Sequence, residues 1–194
     1  MALDVVIMAA GKGTRMKSSM PKVLHPLGGK ALVQHVIDTA QQLQARQTVV
    51  ITGHEAEQVE AALQQHNPGL ALHFARQMPQ LGTGHAVQQA VPYLPDDGVV
   101  VILSGDVPLT QAATLQALMQ ACAGHHLALL TIEFADPKGY GRIVREGGQA
   151  RHSRGLQRHH GRARTATQGL VVAFRQSQCA AGVLPHRYRE IRGC

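Results

Sequence analysis

Cysteine is scarce: three residues, Cys122, Cys179 and Cys194, odd in number and without metal-type spacing. That excludes a disulfide framework and a zinc cluster, and predicts a reducing, cytoplasmic setting. Long apolar runs are missing too. The run near the start, Val5-Val6-Ile7-Met8-Ala9-Ala10, is far too short to span a membrane. No basic stretch precedes it and Asp4 touches it, so no signal peptide and no membrane partner are expected. No window repeats at a fixed period, which excludes a solenoid. From residue 149 onward there is no Lys, no Asn and one acid, Glu190. What is present suffices for a core: 44% of the 194 residues are hydrophobic, which excludes wholesale disorder and fits one domain, or one domain with a tail.

The net charge of +7 invites a nucleic-acid reading until it is divided along the chain. Residues 1–148 carry 10 Lys and Arg against 11 Asp and Glu, a net of −1. Residues 149–194 carry nine Arg against a single Glu, a net of +8. The excess is therefore confined to the end, where a basic arm for nucleic acid or a membrane surface is one reading, and it argues against a nucleic-acid partner for residues 1–148.

Texture changes at the same place. Leu3–Ala9 reads as a buried strand, apolar except for Asp4. Apolar residues recur at helical spacing over Ala31–Arg46 (Leu32, Val36, Ile37, Ala40, Leu43) and over Glu55–His66 (Ala56, Val59, Ala62, Leu63). Further strands are predicted at Thr48–Thr52, Leu70–Ala75, Val99–Leu103 and Leu127–Phe134, and further helices at Gly84–Val91 and Thr110–Ala123. Alternating helices and continuously apolar strands predict an α/β domain, a doubly wound and mostly parallel sheet over residues 1–148. Beyond it, Arg151–Arg164 has neither period and one large apolar residue, and only Leu170–Phe174 has strand character. Residues 149–194 are thus expected to be poorly ordered and dispensable to the fold, leaving the sheet incomplete at its C-terminal part.

In such a sheet ligands bind beyond the carboxyl ends of the strands, so the residues after each strand carry the chemistry. After the first strand stands Met8-Ala9-Ala10-Gly11-Lys12-Gly13-Thr14-Arg15-Met16. Small residues let backbone N–H groups approach an anion, and Lys12 and Arg15 add charge. A P-loop is excluded because no Gly-Lys-Ser/Thr follows. A dinucleotide fingerprint is excluded by Met16 in place of the third glycine and by Thr52-Gly53-His54 in place of an acid. A tight structural turn is the competing reading. Lys22, in a loop stiffened by Pro21 and Pro26, suits a second phosphate or is a solvated surface lysine. His25 reads as a hydrogen-bonded structural histidine rather than a catalyst. Gln77, Gly82 and Thr83 offer an amide and free backbone to a planar base, unless Thr83 is a plain helix N-cap. Ser104-Gly105-Asp106 follows the strongest strand, where one carboxylate suits a hard divalent cation shared with phosphate or caps a turn. Gly139-Tyr140-Gly141-Arg142 presents backbone to a sugar or merely bends a strand start.

Taken in order, Gly11-x-Gly13-Thr14-Arg15-Met16, Pro21-Lys22-Val23-Leu24, Gln80-Leu81-Gly82-Thr83-Gly84-His85-Ala86, Gly105-Asp106-Val107-Pro108-Leu109 and Gly139-Tyr140-Gly141-Arg142-Ile143 form a familiar set. Over about residues 3–148 the chain resembles the sugar nucleotidyltransferases, in particular the N-terminal uridyltransferase domain of bacterial bifunctional N-acetylglucosamine-1-phosphate uridyltransferase/glucosamine-1-phosphate acetyltransferases. The first motif is general to these enzymes. Lys22–Leu27 and Gln80–Ala86 are far more specific.

The resemblance implies a Rossmann-like fold and transfer of UMP from UTP to N-acetylglucosamine 1-phosphate, giving UDP-N-acetylglucosamine and pyrophosphate for peptidoglycan and lipopolysaccharide synthesis. It implies that Met8, Ala9, Ala10 and Gly11 line the nucleotide, and that Arg15 and Lys22 neutralise phosphates as the catalytic cations. Gln77, Gly82 and Thr83 would read uracil, Ser104, Gly105 and Asp106 would lie by ribose and metal with Asp106 on Mg²⁺, and Gly141 would touch the sugar. The family trimerises through an acetyltransferase half that has no counterpart here. Its later glutamate, Asn-Thr-Gly motif and second metal-binding asparagine also have no match in 149–194, so weak turnover is expected. An Arg- and His-rich, Lys-free end fits either a reading-frame change in a GC-rich gene or a genuine basic tail.

Overall fold

The computed structural model describes residues 2–13, 16–122, 127–133, 141–146, 149–154, 165–167 and 172–175. Its centre is β1 (Leu3–Met8), flanked by β4 (Gln47–Thr52) and β6 (Val99–Ser104), both parallel to it. These strands are buried on both faces, which is why they read as unbroken apolar runs rather than alternating ones. The main sheet continues through β5 (Leu72–Arg76) on one side and β12 (Val172–Arg175) and β7 (Leu127–Leu129) on the other, in the order β5-β4-β1-β6-β12-β7.

Successive side chains of a strand point to opposite faces, and two cores result. Val5 and Ile7 of β1 meet Val33 and Ile37 of α1 (Leu32–Gln42), Leu63 of α2 (Ala56–His66) and Leu115 of α4 (Ala112–Cys122). Val6 faces the other way, toward Ala86, Val87 and Ala90 of α3 (Thr83–Ala90). Helices therefore cover both faces, as the doubly wound reading requires. The one acid in β1, Asp4, is fully buried and is held by Arg46 through Nε at 3.0 Å and Nη2 at 2.6 Å. An unpaired carboxylate there would carry a large desolvation cost.

β4 and β5 lie to one side of β1 and β6 to the other, so the strand order reverses between β1 and β6. The crevice at that reversal is where this class of sheet binds ligands.

Two expectations need correction. α1 stops at Gln42 rather than Arg46, because Gln44 turns into the left-handed region (φ 55°) to feed β4. The strand expected over Leu127–Phe134 divides into β7 and β8 (Ile132–Glu133), while Phe134 lies outside the described residues. Beyond residue 148 regular structure continues. β9 (Gly141–Glu146) pairs antiparallel with β10 (Gln149–Arg154), which takes in Arg151–Arg154; residues 155–164 lie outside the described residues. With β11 (Thr165–Thr167) and β8 they form a second sheet ordered β10-β9-β11-β8, while β2 (Pro26–Leu27) and β3 (Lys30–Ala31) pair as a short ribbon ahead of α1. Backbone pairing needs no apolar side chain, which is why a polar Gln149–Arg154 gave no signal. Strand β12, which overlaps the expected Leu170–Phe174 run and ends one residue beyond it, is inserted antiparallel between β6 and β7. It is part of the main sheet.

Candidate active site

The carboxyl ends of β1, β4 and β6 are tied into one floor. Ala9 N–H donates to Ile51 O at 2.8 Å, and Gly105 N–H to Met8 O at 2.9 Å. Above this floor lies a cavity of about 350 Å³. Met8, Ala9, Ala10 and Gly11 line it from the β1 side, and Ser104 and Asp106 from β6. Gln77, Gly82 and Thr83 line it from the β5–α3 connection, and Lys22 from a short 3₁₀ turn, Lys22–Leu24. Residues spread over nearly 100 positions of sequence thus converge on the sheet's reversal point.

Glycine is required at two positions around it. Gly13 has φ +59°, and a Cβ there would come within 2.7 Å of Lys22 Cβ, so the loop after β1 packs directly on the stem of Lys22. Gly53 follows β4, and a Cβ there would meet Gln80 Nε2 at 2.8 Å, Ala10 Cβ at 2.9 Å and Ala10 O at 3.1 Å. That bare position lets the Gln80 amide donate to the carbonyl of Ala10.

The β5–α3 connection is fixed by its own amides. Gln77 is 3% exposed; its backbone N–H donates to Thr52 O at 2.8 Å and its side-chain amide to Gly82 O at 2.9 Å, with His85 Nδ1 3.2 Å away. Thr52 in turn donates its hydroxyl to Glu60 at 2.6 Å, and Glu60 takes two hydrogen bonds from Arg76 at 3.0 and 2.9 Å. The Arg76 guanidinium holds the Glu60 carboxyl below the ordinary carboxylate range, against the opposing effect of burial and with help from Thr52.

The charged centre is a pair. Lys22 Nζ lies 2.5 Å from Asp106 Oδ2, with both side chains about one-third exposed. Among the described residues no three His, Cys, Asp or Glu converge to form a metal cluster. A single carboxylate nevertheless suits a hard cation that takes its other ligands from phosphate and water oxygens. In this structure the cationic partner of that carboxylate is the Lys22 ammonium.

Gly105, between Ser104 and Asp106, is buried at the cavity floor: a Cβ there would press to 3.1 Å on the Met8 carbonyl that its N–H bonds. Gly141 opens β9, opposite Thr167 of β11. Arg15 lies outside the described residues. Gly82, with φ +98°, is the N-cap of α3, and Thr83 is the first helical residue without a capping bond. His25 is expected to be hydrogen-bonded; its buried Nε2 has no partner among the described residues. Val23, Gln80 and Ala86 also line the cavity. Only the glycine at 53 hinted at the close approach that brings Gln80 in.

The arrangement gathers an ammonium, a carboxylate, side-chain amides and small residues around one cavity at the reversal point of the sheet. The profile of the MobA-like NTP transferase domain matches residues 5–181. The chain belongs to this family. Its MobA-like NTP transferase domain is 70% identical over 151 residues to the bifunctional protein GlmU of Polaromonas naphthalenivorans, a match covering 76% of this chain and 32% of that one. To GlmU of Cellvibrio japonicus it is 58% identical over 144 residues, covering 74% of this chain and 31% of the relative. The chain thus spans about a third of the length of these curated relatives. Among solved structures, a UDP-glucose pyrophosphorylase complexed with UDP-glucose superposes with TM-score 0.72 at 17% identity, over 90% of this chain and 76% of that one. A Bacillus anthracis protein assigned as a glucose-1-phosphate thymidylyltransferase superposes at 0.78, also at 17%, over 93% and 74%. At such identity these two likenesses speak for the fold alone.

Proposed function

We propose that the protein transfers UMP from UTP to N-acetylglucosamine 1-phosphate, releasing pyrophosphate and forming UDP-N-acetylglucosamine for peptidoglycan and lipopolysaccharide synthesis in the cytoplasm. The observation that carries this reading is the convergence of the β1 loop, Lys22, the Gln77–Thr83 connection and Asp106 on one cavity, in a chain 70% identical to a GlmU over 151 residues.

In this reading the triphosphate lies along Ala9, Ala10 and Gly11, whose small side chains let backbone N–H groups reach its oxygens. The Lys22 ammonium and the Arg15 guanidinium neutralise charge that grows on the leaving pyrophosphate. Gln77 holds the Gly82 carbonyl in place, so the backbone at Gly82 and Thr83 meets uracil on a preset edge. Ser104 and Gly105 bound the ribose, and Gly141 the sugar. An oxygen of the sugar phosphate attacks the α-phosphorus as the bond to pyrophosphate breaks, so no protein nucleophile is required. Asp106 would hold Mg²⁺, which when bound supplies positive charge shared between phosphate oxygens.

The test is pyrophosphate release with UTP, N-acetylglucosamine 1-phosphate and Mg²⁺, alongside calorimetry with UTP alone. Turnover that depends on both substrates supports the reading. UTP binding without turnover leaves a nucleotide-binding fragment, and no UTP binding overturns the reading entirely.

A further inference from the structure

The two groups assigned to phosphate and to metal are bonded to each other. Lys22 Nζ sits 2.5 Å from Asp106 Oδ2, across 84 positions of sequence. The backbone on which Lys22 stands is well fixed. Pro21 and Val23 on either side of it are buried, and its Cβ packs against Gly13, where an added methyl group would approach to 2.7 Å. The side chain beyond it, by contrast, is 38% exposed and carries its ammonium on a long stem with several rotatable bonds. A carboxylate already bonded to an ammonium is locally neutral, so a divalent cation arriving alone must displace the lysine and leave it without a partner. A triphosphate changes that balance, because its anionic oxygens give Lys22 a second place to bind and release the Asp106 carboxylate.

We propose that Lys22 is a placeholder cation for the metal position, so that Asp106 becomes open to a divalent ion only as nucleotide draws the ammonium away. Metal and nucleotide binding are then positively coupled through one ion pair, each raising the affinity for the other by the same factor. This inference rests on the reading of Asp106 as the metal ligand. It adds to Lys22 a role distinct from charge stabilisation during transfer: it keeps the empty site from holding a metal in a non-productive state.

The test uses Mn²⁺ and electron paramagnetic resonance on the full chain without nucleotide. Lys22→Met, and Lys22→Gln as a polar-tipped second variant, should tighten Mn²⁺ binding about fivefold, the scale of a partly exposed ion pair. Lys17→Met removes the same charge from an exposed position and should move Mn²⁺ affinity less than twofold. Asp106→Asn added to Lys22→Met should abolish the gain. Unchanged Mn²⁺ affinity in both Lys22 variants, or an equal gain in Lys17→Met, overturns the placeholder. Water-proton relaxation of the protein–Mn²⁺–UTP complex separates the two readings. If Asp106→Asn leaves that ternary complex unaltered, the metal assignment itself fails. If Asp106→Asn weakens it while the Lys22 variants bind free Mn²⁺ no better, only the coupling fails.

Discussion

At the scale of single residues, the cavity is governed by what is small. The contact that brings the Gln80 amide to the Ala10 carbonyl exists because Gly53 has no side chain between them. Gly53→Ala places a methyl group 2.9 Å from Ala10 Cβ and 3.1 Å from Ala10 O, and neither atom belongs to a flexible tip that can move aside. Overpacking of this kind costs about 1–3 kcal/mol, here divided between stability and the nucleotide site. The expected outcome is a lower Tm together with weaker UTP binding by calorimetry, and unchanged values of both would show that Ala10 is not held by this packing. The residue types at the site were legible in the sequence, because Ala9-Ala10-Gly11, Lys22 and Asp106 each follow an apolar strand or sit in a proline-stiffened loop. Their pairing was not. Nothing local to Lys22 reveals an acid 84 residues away as its partner, nor does Gln80 disclose that its amide will close on Ala10.

Elements were legible where burial imposes a pattern. β1, β4 and β6 are covered on both faces, and their runs of Val and Ile could be read directly. α1 overran because Leu43 continues the apolar stripe while the turn at Gln44 carries no glycine or proline to mark it. The connection between β4 and α2 illustrates how elements brace the site: Thr52 accepts the Gln77 N–H with its carbonyl and donates its hydroxyl to Glu60, which Arg76 of β5 secures. Glu60 titrates below its ordinary value in the folded chain, so the unfolded chain binds its proton more readily. The stability this confers is complete above the ordinary glutamate value of 4.5 and is lost as pH falls through the lower, folded one. Glu60→Gln should therefore lower Tm near neutral pH and flatten the decline of Tm with acid. A melting series between pH 7 and 3 checks this, and an acid limb as steep as that of the unsubstituted protein would remove Glu60 from the linkage.

At the scale of the whole molecule, composition and architecture disagree about where the domain ends. Charge changes from net −1 to net +8 at residue 149, and the helical and strand periodicities fade there. The main sheet nevertheless reaches past that boundary, because β12 lies between β6 and β7 and pairs Val172 with Ile102, Ala173 with Val101, Phe174 with Val100 and Arg175 with Val99. Its sequence signal, Leu170–Phe174, was visible, but an isolated apolar run says nothing about which strand it will join. β12 covers the edge of β6, whose residues Val99–Leu103 are all nearly inaccessible to solvent. A chain cut after Gly148 would present that apolar edge with its backbone N–H and C=O groups unpaired, the condition that invites aggregation. The truncated chain should therefore melt at a lower temperature and associate at concentrations where the 194-residue chain does not, rather than fold as well without its tail. Hydrogen exchange on the full chain tests the same point from the other side. The amides of Val172–Arg175 should be protected to the same order as those of Val99–Ile102, since the two strands share one ladder. Free exchange across Val172–Arg175, with β6 protected regardless, would show that β6 is covered by something other than β12 and would return the boundary to residue 148.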